Sequence, residues 1–259
     1  MKMITDINCW RELRASDELK NKTIGFVPTM GNLHAGHASL LSRSVAENDV
    51  TILSIFVNPT QFNRPEDLTN YPRTPDQDIQ LAGQVDVDIV LMPTDEDLYP
   101  DHYRYKVSEN QLSTMMEGAY RPGHFEGMLT VVLKFLLLVK PTHAYFGEKD
   151  YQQLQLIKGM VSAFFLDVKI IPCKTVRNDQ GLALSSRNSR LTHQQLKFAE
   201  KFSELLRSNQ TCKVIQRKLT ETGFKVDYIT EYQGRRFGAV FIDEVRLIDN
   251  VEIEEKIKC

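Results

Sequence analysis

"FVPTMGNLHAGHASL" (residues 26–40) passes from an apolar run to a helical pattern through a glycine-bearing turn. "KTIGFVPT" (22–29) reads as a strand, and "HAGHASLLSRSVAEN" (34–48) as a helix with Leu40, Leu41 and Val45 on one face. The same alternation continues on both sides of a long middle segment. "VTILSIFVN" (50–58) reads as a buried strand, "TPDQDIQLAGQV" (74–85) as a helix and "VDIVLMP" (87–93) as a strand. "THAYFG" (142–147) is a further strand, "KDYQQLQLIKGMVSAFF" (149–165) a helix and "DVKIIPC" (167–173) a strand. Near-continuous apolar strands between amphipathic helices imply a parallel sheet covered on both faces. The expected fold class is α/β, a Rossmann-like doubly wound parallel sheet with ligands at the carboxyl ends of its strands.

Around residues 174–190 the chain turns polar, as in "TVRNDQGLALSSRNSRL". Thr192 and Gln195 then form a capping-box pattern before "QQLKFAEKFSELL", and a second helix covers about 211–222. "FKVDYITEY" (224–232) and "RFGAVFIDEVRLI" (236–248) each read as one strand. The organisation read here is a catalytic domain over 1–176 and a small C-terminal α+β domain over 177–259.

Bulk properties narrow the function class. The chain has 259 residues, 42% apolar and 25% charged, with a net charge of −2. That balance provides no basic face for a nucleic acid. The longest apolar stretch, "LTVVLKFLLLV" (129–139), is too short for a bilayer and carries Lys134. "MKMITDINCWREL" has no apolar segment followed by small residues, so no secretory signal is read there. Cys9, Cys173, Cys212 and Cys259 form no CxxC pair, which suits a reducing cytosol better than a disulfide framework or a zinc site. The expected location is cytoplasmic.

Four segments could carry chemistry. His34 and His37 lie one turn apart at the start of a helix, where free N–H groups favour an anion, and Gly31 and Gly36 allow close approach of backbone. They suit phosphate, though such a pair serves equally as a helix cap, and no Glu accompanies it as in a metal-binding HExxH helix. "IFVNPTQF" (55–62) sets Asn58, Thr60 and Gln61 at a strand end, as substrate amides or as turn chemistry. "YFGEKDYQQLQ" (145–155) offers Lys149, Gln152 and Gln153, or only a solvated turn. "GLALSSRN" (181–188) gathers Ser185, Ser186 and Arg187 as three donors for phosphate groups, or as a surface linker. Arg121 and His124 in "RPGHFEG" are read as structural. Three of the four segments sit at strand ends, where a parallel sheet presents its crevice, and that convergence favours a nucleotide site.

"PTMGNLHAGHASLL", "FVNPTQF", "YPRTPDQD", "EGAYRPGHFEGMLTVVLKF", "FGEKDYQQLQLI", "GLALSSRNSRLT" and "VRLIDNVEI" together resemble the bacterial pantothenate synthetases (pantoate–β-alanine ligases), from about residue 20 to 253. His34-x-Gly36-His37 is similar to the HIGH signature of nucleotidyltransferases and class I aminoacyl-tRNA synthetases. The resemblance implies a two-step ligation: ATP and pantoate give pantoyl adenylate and pyrophosphate, then β-alanine gives pantothenate and AMP. It implies that Pro28, Thr29, Met30, Gly31, Asn32, Leu33, His34, Ala35, Gly36 and His37 bind ATP, with Gly147, Glu148, Lys149, Asp150, Val176, Leu184, Ser185, Ser186 and Arg187. Within that set His34, His37, Lys149, Ser185, Ser186 and Arg187 would be catalytic. Met30, Asn58, Gln61, Phe62 and Gln153 would hold pantoate. Mg²⁺ is implied with ATP, bridging phosphate oxygens. A homodimer and a C-terminal lid against water are implied as well. Ala35 stands where the family usually has Glu, and the tail between "VDYITEY" and "VRLIDNVEI" is shorter than usual. A nucleotidyltransferase without the second step and a non-catalytic nucleotide-binding module are the alternatives. A tRNA synthetase is disfavoured, because the tail is small and weakly basic.

Overall fold

The computed structural model describes residues 1–253. By contact clustering the chain forms two compact units. The first comprises Met1–Glu148 and Gln152–Lys174; the second comprises Lys149–Tyr151 and the chain from Thr175 onward.

The first unit is a six-stranded parallel sheet with helices. In chain order its elements are β1 (Lys2–Ile4), α1 (Ile7–Ala15), β2 (Ile24–Thr29), α2 (Ala35–Glu47), β3 (Val50–Ile55), α3 (Pro65–Thr69) and α4 (Pro75–Gln84). Then follow β4 (Ile89–Leu91), α5 (Asp95–Leu98), α6 (Glu117–Tyr120), α7 (His124–Val139), β5 (His143–Gly147), α8 (Tyr151–Ala163) and β6 (Lys169–Cys173). Strand order is β1-β4-β3-β2-β5-β6, every pairing parallel. The expected α/β doubly wound sheet is therefore present. Val27, Leu53, Val90, Tyr145 and Ile171 pack with Leu41 of α2 and Ala82 of α4. Phe135 of α7 packs on Phe26 and Phe56, and the fully buried Trp10 of α1 donates its indole N–H to Leu138 O at 2.9 Å.

The second unit holds α9 (His193–Arg207), α10 (Cys212–Thr222) and an antiparallel sheet in order β7-β8-β9 (Lys225–Tyr232, Arg235–Ile242, Val245–Glu252). The Thr192–Gln195 capping box forms as the sequence predicts. Phe202, Leu206, Ile215, Leu219, Val240 and Leu247 build its core.

Three expectations need correction. The stretch 236–248 is a hairpin, not one strand: it turns at Asp243–Glu244, with Asp243 at φ 48°. Apolar alternation runs through both arms, and the turn carries neither the Gly nor the Asn that usually marks one. The reading of 50–58 as strand overshoots, because β3 ends at Ile55 and Pro59–Gln61 form a 3₁₀ turn. The strand at 87–93 shrinks to Ile89–Leu91. Cys9, Cys173 and Cys212 are free thiols; Cys259 lies outside the described residues.

Candidate active site

In this sheet the chain runs outward from β2 through β3 to β4, then returns to the opposite side of β2 as β5. The direction of winding reverses between β2 and β5, which is where a doubly wound fold binds its ligand. Pairing between them covers only Gly25 and Phe26, whereas β2 pairs with β3 along its whole length. Pro28, which has no N–H to give a ladder, lies in the part of β2 beyond the β5 pairing.

The loop after β2 is fixed by side chains from elsewhere. Thr29 donates to Ser54 O at 2.7 Å, and its Oγ1 accepts from the Gly31 N–H. The buried carboxylate of Asp78 on α4 accepts from the N–H groups of Asn32 (3.0 Å) and Leu33 (2.7 Å), and from the Thr74 hydroxyl. Gly31 is required here: its φ is 77° and a Cβ would lie 2.9 Å from Asp78 Oδ2.

This fixed loop delivers His34 as the N-cap of α2. His34 Nδ1 accepts from the Gly36 N–H at 3.1 Å, while His37 Nδ1 accepts from the His34 N–H at 3.3 Å. Each Nδ1 serves as an acceptor, so the ring hydrogen of each imidazole resides on Nε2. The rings lie 4.1 Å apart between centroids. A Cβ on Gly36 would come within 2.8 Å of the His34 ring. The histidines thus cap the helix and set two imidazoles at its positive end. Ala35 is exposed at the first helical position, and its methyl takes no part in the cap.

At the end of β3, Asn58 is buried and fully engaged. Its Nδ2 donates to Gln61 Oε1 (3.0 Å) and Gly127 O (3.2 Å); its Oδ1 accepts from Tyr99 OH (2.8 Å) and Thr60 Oγ1 (3.0 Å). Burial pushes the Tyr99 hydroxyl up to about 12, so it stays a donor at ordinary pH. Gln61 Nε2 lies 3.0 Å from Met30 Sδ, bringing together two residues that the family resemblance implied for pantoate. Gln61 O accepts from His124 Nδ1 at 2.8 Å, and Arg121 Nη1 lies 3.1 Å from His124 Nε2. Glu117 lies 3.6 Å from Arg121. Gly127 allows α7 to approach, since a Cβ there would meet Thr60 O at 2.4 Å. Phe62 packs edge-on against Tyr71.

The two glutamines of α8 have different surroundings. Gln152 is buried, accepts from the Glu117 N–H and donates to Leu112 O and Met115 O, both at 2.8 Å. Gln153 is half-buried at the carboxyl end of β5, with no side-chain hydrogen bond among the described residues. Gly147 closes β5, and Glu148 begins the single 3₁₀ turn Glu148–Asp150.

Within the second unit, Lys149 Nζ lies 3.7 Å from Asp150 Oδ1, and Lys149 O accepts from Asn250 Nδ2 at 2.8 Å. Leu184 N donates to Val176 O at 3.0 Å, next to the Arg177–Ala183 bridge. Ser185 caps the 3₁₀ turn Ser186–Arg190 by accepting from the Arg187 N–H. Ser185, Ser186 and Arg187 are all half-buried.

The family model described as pantoate-beta-alanine ligase matches residues 2–252. The chain belongs to the pantoate–β-alanine ligase family. A pantothenate synthetase from Coxiella burnetii is 54% identical over 258 residues, covering 100% of this chain and 99% of the relative. One from Legionella pneumophila is 52% identical over 96% of this chain and 99% of the relative. The compact tail is therefore shared with these ligases. Among solved structures, a pantoate-beta-alanine ligase from Francisella tularensis "complexed with beta-gamma ATP and beta-alanine" has a TM-score of 0.93 at 46% identity, covering 97% of each chain. The pantothenate synthetase of Thermus thermophilus has a TM-score of 0.88 at 36% identity, covering 97% of this chain and 99% of that one.

Within the ligase framework, side chains with no role assigned from the sequence also hold the site. Asp78 is the plainest, its carboxylate serving a loop 45 positions away. Arg121 and His124, read as structural, do serve that role by holding the Gln61 backbone.

Proposed function

We propose that this ligase makes pantothenate through a pantoyl adenylate. A pantoate carboxylate oxygen forms a bond to the α-phosphorus of ATP while the bond to pyrophosphate breaks. The β-alanine amine then attacks the acyl carbon, AMP leaves with the bonding electrons, and the amine loses its proton. The observation that carries this reading is the reciprocal cap of His34 and His37. Two Nε2–H groups at one helix N-terminus suit the charge that builds on the α-phosphate oxygens.

The backbone of 28–37 is assigned to ATP, as are Gly147, Glu148, Asp150, Val176 and Leu184. Lys149, Ser185, Ser186 and Arg187 are assigned as donors to the phosphates. Gln61 and Gln153 are assigned to pantoate, beside Met30 and Phe62. Asn58 supports Gln61, since its own amide is already engaged. Among the described residues no group of three or more His, Cys, Asp or Glu could hold a metal ion. The side chains assigned to the phosphates are imidazole, hydroxyl, ammonium and guanidinium groups, which suits Mg²⁺ arriving on ATP, where it would neutralise phosphate charge. Among the described residues no helix is long and apolar enough to cross a membrane.

Exchange of labelled pyrophosphate into ATP isolates the first step. Exchange that requires pantoate and proceeds without β-alanine is expected, and dependence on β-alanine would overturn the adenylate. His37→Ala should slow it about 10²-fold or more.

A further inference from the structure

The short turn bearing Lys149 has little structure of its own to hold it, because three residues of 3₁₀ helix close almost no internal hydrogen bonds. Its support comes from the antiparallel sheet of the second unit. Asn250 on β9, 3% exposed, donates from Nδ2 to Lys149 O at 2.8 Å. The same amide accepts through Oδ1 from Arg235 Nε on β8 at 3.0 Å. The Arg235 guanidinium lies 4.1 Å over the ring of Tyr151, and Phe237 contacts the same ring. Asn250 is itself fixed from behind. Arg177 forks onto the buried Asp249 at 2.6 and 2.9 Å, and donates to Asn250 O.

We propose that Asn250 is a positioning residue for the ligase reaction, holding the Lys149 backbone so that the ammonium group is placed on the nucleotide phosphates. This rests on the assignment of Lys149 to those phosphates. Of the groups in this network, Asn250 Nδ2 is the one that bonds the Lys149 main chain. The Arg177–Asp249 fork holds strand and loop together whatever Lys149 does. Asn250 therefore acts through Lys149, and its removal lowers the rate of adenylation beyond any loss of stability that the melting records.

Asn250→Asp is the sharpest variant. It keeps the shape and the acceptor for Arg235, but turns the donor facing Lys149 O into a second acceptor. Pyrophosphate exchange at saturating pantoate is measured for the parent, Asn250→Asp, Lys149→Ala and the double variant, with thermal melting of each. A loss of at least about tenfold in maximal rate is expected for Asn250→Asp, the cost of one positioning hydrogen bond. The ATP KM should change much less, and Asn250→Asp should have no further effect in the Lys149→Ala background. Equal losses in both backgrounds would overturn the proposal. So would an unaltered rate for Asn250→Asp beside a slowed Lys149→Ala. If Lys149→Ala itself exchanges at the parent rate, the assignment of Lys149 fails and the proposal with it. Should Asn250→Asp melt the fold, Asn250→Ala, which adds no charge, provides the same comparison.

Discussion

Gln152 and Gln153 are adjacent, chemically identical and set apart only by where the helix turns them. Gln152 spends its amide on three backbone groups of the segment before α7. Gln152→Ala would strand those partners and should cost about 1–3 kcal/mol, visible as a lowered thermal midpoint. Gln153→Ala should leave the melt unchanged and raise the pantoate KM about tenfold, by removing a bond to a substrate hydroxyl or carboxylate. Equal melting losses for both variants would refute the distinction. Residue type and position could not separate the pair, since both open the same helix; the family resemblance alone singled out Gln153. His34 and His37 were legible as a pair at a helix start. Their double use, as cap and as donors, needed the geometry of each Nδ1. The same limit applies to Asn58, whose amide reads as a substrate ligand until its partners are seen.

Among the helices, those of ten or more residues with a polar face were read, and those that were short or largely buried were missed. α2, α4 and α8 carry polar faces and stood out, as did α9 behind its capping box. α7 is buried over much of its circumference, so its 3.6-residue period is hidden, and α1 is only nine residues long. Lys134, the charge inside that apolar run, donates to Leu98 O at 2.7 Å and to Asp101 Oδ1 at 2.9 Å, and sits over the Tyr99 ring. The Asp101 carboxyl is held down at about 2, first by the Tyr105 N–H and then by Lys134, against an ordinary 3.8. A carboxylate with a depressed pKa stabilises the fold fully above its unfolded value and loses that contribution as pH falls through the folded one. Asp101→Asn should therefore flatten the fall in melting temperature between about pH 4 and about pH 2, and leave the fall from other carboxylates in place. An identical acid profile in parent and variant would show that this pair contributes nothing.

For the molecule as a whole, alternation of apolar strands with helices specified a parallel doubly wound sheet, and the strand order places the switch point between β2 and β5. The order itself was not readable, since nothing in a strand's own residues names its neighbours. The residues at that switch point were readable, because glycine, histidine and amides at strand ends break the apolar pattern. Arg121 and His124 were read as structural, but the supporting roles of Asp78 and Asn250 were not readable, because each lies far along the chain from the groups it holds. The central claim is that the strand-end donors adenylate a carboxylate which an amine then captures. Mass spectrometry of a reaction with ATP, Mg²⁺, pantoate and β-alanine, each omitted in turn, tests it most directly. Pantothenate and AMP are expected in the complete mixture alone. A complete mixture that yields no pantothenate, with the protein folded, would contradict it.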